Sequence, residues 1–178
     1  MNPRTGPVTP SAESFDHRHD HEMCVADALG AAEILCAQRG ARLTDLRRRV
    51  LELVWESHAP IGAYELIDKL AKARTEDGTD ARVAPPTVYR TLDFLIEQGL
   101  VHRIESRNAF VGCNRPELPH RGYFLICEGC GVAHELEGGA LDADLRSRAH
   151  DLDFEVRRIT IEMAGRCPAC QAVTGAPT

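Results

Sequence analysis

Apolar positions in the N-terminal part of the chain recur at helical spacing, whereas those beyond Gly99 mostly alternate. In DLRRRVLELV, Leu46, Val50, Leu53 and Val54 share one side of a helix that Thr44 can cap. AYELIDKLAKA places Leu66, Ile67 and Leu70 together, and Val88, Leu92, Leu95 and Ile96 form a stripe on a further helix. That last helix has Pro85 and Pro86 suited to its start and Gly99 to its end, and Arg90 points away from the stripe. An earlier helix is expected from about Cys24 to Arg39, stopping at Gly40, and RTEDGTDARV reads as a loop. The pattern then changes to LVHRIE, a polar break at SRN, and AFVGC, which together predict a β-hairpin. Helices followed by such a hairpin predict a winged helix-turn-helix domain.

A second unit follows the proline-bearing stretch NRPELP. Its elements are the strand GYFLIC, the turn EGCG, the strand VAHELE, a helix over about residues 140 to 152, and a long strand FEVRRITIEMAG. Along that last strand the apolar parity switches between Phe154 and Val156 on one side and Ile159, Ile161 and Met163 on the other, which a bulge or two-sided burial would explain. The expected fold class is α+β. The expected division is a flexible tail over 1–22, a DNA-binding winged-helix domain over 23–113, a hinge over 114–119, a small α/β domain over 120–172 and a tail over 173–178.

The 178 residues suffice for two small domains, each near the size at which a hydrophobic core alone is marginal. No long apolar stretch and no basic-then-apolar leader is seen, so a soluble cytoplasmic protein without membrane contact is expected. The net charge of −6 argues against nucleic-acid binding only if it is spread evenly, and it is not. Basic and acidic residues number 11 and 11 over 41–110, against 3 and 6 before and 7 and 10 after. RLTDLRRRV concentrates four arginines, Arg42, Arg47, Arg48 and Arg49, of which one or two would serve DNA phosphates while the others form a solvated face.

Seven cysteines in a reducing compartment suggest metal ligands or reactive thiols rather than disulfides. Cys127 and Cys130 form one CxxC pair, Cys167 and Cys170 another. Two such turns can complete the tetrahedral thiolate cage of structural zinc, here across an excursion of 36 residues. A dithiol redox centre, iron–sulfur ligation and unliganded thiols are the alternatives. Four further donors straddle the hinge: His102, Cys113, His120 and Glu135. None makes a site alone, since a single His or Glu is ordinarily a surface group and a single Cys a small buried hydrophobe, but mixed nitrogen, sulfur and oxygen donors suit Zn²⁺. His17, His19, His21 and Cys24 offer an accessory ligand set within what otherwise reads as a polar tail, and Cys36 reads as core.

The runs ILCAQRGARLTDLR, PPTVYRTLDFLIEQGLVHRIES and FLICEGCG, with the closing CPAC, resemble the ferric-uptake-regulator family and most closely its zinc uptake regulator branch. The resemblance covers roughly residues 24 to 171. It implies a homodimeric, zinc-dependent transcription factor whose second half is a dimerisation domain, most simply a repressor of zinc uptake genes acting on double-stranded operator DNA. Carried over by motif, Cys127, Cys130, Cys167 and Cys170 match the structural zinc site. His102, Cys113, His120 and Glu135 match the regulatory one, giving two Zn²⁺ per chain. Tyr64 matches a DNA-contacting position of the branch. Thr87, Tyr89 and Arg90 lie in the N-terminal half of the helix that a winged domain places in the major groove, with Arg90 suited to guanine.

The histidine-rich run that iron and peroxide sensors of the family carry before the first CxxC is replaced here by PELPHRGYFLIC, and Cys113 brings a soft donor that favours zinc. An iron or peroxide sensor is the nearest alternative. A zinc hydrolase, from a different class, would need an open coordination position and a base. The expectation is a regulator with no catalytic residues and no small-molecule substrate.

Overall fold

The computed structural model describes residues 21–76, 83–118, 122–136 and 140–174. The tail expected over 1–22 lies outside the described residues up to residue 20, as do residues 77–82 of the charged loop, His120, the end of the hinge at residue 119, and residues 175–178.

Helix α1 (His21–Gln38) begins three residues before its expected start and buries Leu29, Ala32 and Cys36 on one side. Gly40, at φ 65°, ends it: the Gly40 and Ala41 amides turn back to the Ala37 and Cys36 carbonyls at 3.2 and 2.8 Å. Helix α2 (Asp45–Trp55) inserts Val50, Leu51, Leu53, Val54 and Trp55 into the core. Thr44 holds the extended backbone of a cap but makes no side-chain capping hydrogen bond, contrary to expectation. A two-residue strand, β1 (Ile61–Gly62), was not anticipated, being too short to show a period. Helix α3 (Ala63–Glu76) extends into the charged stretch expected to be loop.

Helix α4 (Pro85–Glu97) carries prolines in its first turn and ends where Gly99 adopts φ 67°. Its buried stripe is Val88, Thr91, Leu92 and Leu95. Ile96, expected in that stripe, is 37% exposed, while the Thr91 hydroxyl enters the core by donating to the Thr87 carbonyl at 2.9 Å. A polar residue four after an open carbonyl can bury itself this way, so apolar spacing alone placed the stripe one residue too far round. Strands β2 (Val101–Ile104) and β3 (Ala109–Gly112) pair antiparallel around the 3₁₀ turn Glu105–Arg107, with Asn108 left-handed at φ 45°. β1 pairs with the other edge of β3, giving the order β1-β3-β2. A side chain at Gly112 would meet the Trp55 ring at 2.2 Å, so this strand can lie on α2 only with glycine there.

The second sheet has the order β5-β4-β6. β4 (Tyr123–Cys127) is central, antiparallel to β5 (Ala133–Leu136) and parallel to β6 (Ile161–Gly165), with α5 (Ala140–His150) between β5 and β6 and α6 (Pro168–Thr174) closing the described chain. The long strand expected from Phe154 is a correction: only Ile161–Gly165 enters the sheet. The parity switch therefore marks the point where the segment leaves the ladder and needs no bulge. Helix α6 was missed, since CPAC was read only for its thiols.

The two halves share a core. Ile104 and Val111 of the wing pack with Phe124, Ile126 and Ala133 of the second sheet. The connecting stretch is held down: the Asn114 amide donates to Glu135 at 3.3 Å, and Arg39 donates to the Pro116 carbonyl at 3.0 Å and to the Gln98 carbonyl at the end of α4. One guanidinium thus ties the end of α4 to the linker.

Candidate metal centres and nucleic-acid face

The end of β4 supplies Cys127, the turn after it Cys130, the segment after β6 Cys167, and α6 Cys170. The four sulfurs lie within 4.8 Å of one another, and none of the seven cysteines is disulfide-bonded. Cys130 and Cys167 sulfurs are 3.8 Å apart. A tetrahedron with zinc–sulfur bonds of about 2.3 Å has edges of about 3.8 Å, so the cage has the size of the ion.

Backbone amides converge on the same sulfurs. The Cys167 amide donates to the Cys127 sulfur at 3.3 Å, and with the Cys130 amide it brings the Cys127 thiol down to about 5. Hydrogen bonding with the Cys167 and Cys127 sulfurs pushes Cys170 up to about 12. Four sulfurs this close cannot all ionise without a cation among them, and a divalent ion removes the conflict. A side chain at Gly129 would stand 2.8 Å from the Cys170 sulfur, so glycine lets the two CxxC turns close.

The second cluster joins β2, the end of β3 and β5. The donor atoms of His102, Cys113 and Glu135 lie within 4.8 Å of one another. Strand register explains their meeting: His102 sits opposite Val111, Cys113 follows two residues later on the same face, and Glu135 sits opposite Phe124, whose ring stacks edge-on against His102 at 5.4 Å. His102 Nε2 is 2.9 Å from Glu135 Oε1. Cys113 is 3% exposed, and burial, reinforced by the Glu135 charge, pushes its thiol up to about 12. His120, the fourth residue of the expected set, lies outside the described residues. His134, next to Glu135, points to the other side of β5.

Elsewhere in the winged domain, Tyr64 is 75% exposed in the first turn of α3. Thr87, Tyr89 and Arg90 are exposed in the first half of α4. The arginine run is more committed than expected from sequence. Arg47 lies 3.4 Å over the Phe94 ring, Arg48 pairs with Glu33, and Arg49 pairs with Glu52 at 2.6 Å. Arg42 is exposed and lends its carbonyl to Arg47 at 2.6 Å. Among the described residues no helix is long and apolar enough to cross a membrane.

A winged helix joined through a shared core to a sheet with a four-thiolate cage, and with a mixed-donor cluster at the junction, defines a metal-binding winged-helix protein. The model of the ferric uptake regulator family matches residues 38–164, and the chain belongs to that family. It is 39% identical over 148 residues to the zinc uptake regulation protein of Escherichia coli (strain K12), covering 83% of each chain. Among solved structures it is similar to a zinc uptake regulator complexed with zinc and DNA, at 38% identity and a TM-score of 0.78, covering 85% of this chain and 98% of that one. It is also similar to holo XcZur, at 42% identity and a TM-score of 0.73, covering 82% of this chain and 98% of that one.

Proposed function

We propose that this chain is a zinc-responsive transcriptional repressor, not an enzyme, that binds operator DNA as a homodimer when zinc-loaded and acts in the cytoplasm on zinc uptake genes. The observation that carries this is the cluster of buried Cys113 with half-buried His102 and Glu135, which spans the junction between the wing and the second half. Its sulfur donor favours zinc over the harder ions that iron sensing requires. His102, Cys113, Glu135 and His120 would hold the sensed ion, and Cys127, Cys130, Cys167 and Cys170 a second, structural one, two per chain. When bound, zinc would supply charge neutralisation to donors that otherwise repel or stay protonated.

The division proposed is a DNA-binding unit over 23–113, a hinge over 114–119 and a dimerisation unit over 120–172. His102 and Cys113 belong to the first and Glu135 to the second, so the convergence of these three sets the angle between the two. In a dimer that angle decides whether two α4 helices reach successive major grooves, about 34 Å apart. Moving such an equilibrium from 1:99 to 99:1 takes about 5.5 kcal/mol of differential binding, well within the roughly 10–16 kcal/mol available from a zinc site. Thr87, Tyr89 and Arg90 would then meet backbone or base edges, Arg90 reading guanine, and Tyr64 would meet the backbone. The dimer surface is proposed on the second half, where β6 is an edge strand and Phe154 is 67% exposed.

The test is binding of the full chain to an AT-rich palindrome across buffered free zinc, Fe²⁺ and peroxide. Zinc alone should promote binding, and Cys113→Ser should abolish the response while leaving the dimer and one tightly held zinc per chain. An unchanged zinc response in that variant rejects the sensing site, and a response to Fe²⁺ or peroxide instead rejects the zinc reading.

A further inference from the structure

The wing meets the second half at its tip as well as at its base, through groups that are not metal donors. The 3₁₀ turn Glu105–Arg107 presents its first two amides to one carboxylate: Glu105 N–H donates to Glu162 Oε1 at 2.6 Å and Ser106 N–H to Glu162 Oε2 at 3.0 Å. Two flanking contacts close the same junction. Arg158 Nη1 lies 3.2 Å from Glu105 Oε1, while Arg107 donates to the Gly131 and Cys127 carbonyls at 3.3 and 3.4 Å. Amides at the start of a helical turn have no partner within it, so a carboxylate placed there makes charge-assisted hydrogen bonds. Burial opposes ionisation of Glu162, but donors from Ser106 and Glu105 outweigh it and hold the carboxyl below its ordinary range.

The geometry matters because the apolar packing of Ile104 and Val111 on the second sheet is non-directional, and a charged contact at the tip adds a directional constraint to it. The cluster of His102, Cys113 and Glu135 lies toward the base of the wing, and small rotations about it would still move α4. A second anchor at the hairpin tip removes that freedom. We infer that Glu162 is a positioning residue: its carboxylate forms a metal-independent latch on the wing tip that sets the wing angle, and thereby strengthens both zinc binding at the sensing cluster and DNA binding by the loaded dimer. This rests on the proposed function, since it assigns the sensing role to that cluster. The coupling follows from population arithmetic, because the apparent affinity of a site is reduced by the fraction of chains not in the arrangement that binds.

The experiment compares the wild-type chain with Glu162→Gln, which keeps the shape but loses the charge and one of the two acceptors. Three quantities are read: sensing-site zinc affinity by competition with a chelator, operator affinity at saturating zinc, and hydrogen exchange of the peptide spanning residues 104–108. Glu162→Gln should weaken zinc and operator binding each by about tenfold, the scale of a hydrogen bond to a charged group. It should also speed exchange at Glu105 and Ser106, with dimer mass and the tightly held zinc unchanged. Affinities within twofold of wild type, unchanged exchange, or loss of the tightly held zinc or of the dimer would each overturn the inference. If the wild-type chain itself ignores zinc, the functional reading fails while the exchange measurement still reports whether the latch exists.

Discussion

Cys113 shows how much a single side chain depends on what surrounds it. Burial, with the Glu135 charge, pushes its thiol up to about 12, so without a bound cation's field it stays protonated through the neutral range. Its raised value contributes stability that is fully present below the ordinary thiol value and is lost as pH rises from there through about 12. Metal loading must expel this proton. Sensing-site zinc affinity should therefore tighten with pH by up to about tenfold per unit from Cys113 alone, and Cys113→Ser should flatten that slope, as chelator competition across pH 6.5 to 8.5 checks (roughly the accessible window). The four cysteines of the CxxC pairs were legible in the sequence because each pair is a local turn. His102, Cys113 and Glu135 were less so: they come from three elements, and the sequence offered them only as scattered donors, matched to one site by a family resemblance, until register placed them together. Glu162 left no signal at all, since its partners are backbone amides of a distant turn.

Among elements, α4 carries the most exposed chemistry and the most instructive misreading. Periodicity located the helix and both its ends, because prolines and glycine act locally. It could not show that Thr91 would turn inward and Ile96 outward. Ile96→Gln should accordingly leave stability within about 0.5 kcal/mol, whereas Leu95→Ala should cost about 2–5 kcal/mol, both measured by urea unfolding. The wing rests on α2 only because Gly112 has no side chain to strike Trp55. Gly112→Ala should cost about 1–3 kcal/mol in the same measurement and weaken operator binding, since it lifts β3 from the core that supports α4.

At the scale of the whole molecule, the two halves are one packed body around Ile104, Val111, Phe124, Ile126 and Ala133. The segment between α5 and β6 leaves Leu152 and Phe154 exposed, and β6 is an edge strand, apolar and unpaired surface that is costly to leave wet if no second copy covers it. Phe154→Glu should yield a monomer by light scattering, with operator affinity falling at least about a hundredfold because one recognition helix then binds where two did. By itself the sequence determined helices α1 to α5, the hairpin and the two CxxC turns, since periods, helix-ending residues and CxxC turns are short-range devices that each segment carries alone. Only the tertiary structure decided which face of the wing meets the second sheet, how Glu135 comes to lie against His102, and where Glu162 lands. Those are contacts between residues far apart in the chain, and their geometry exists only once both sheets have packed.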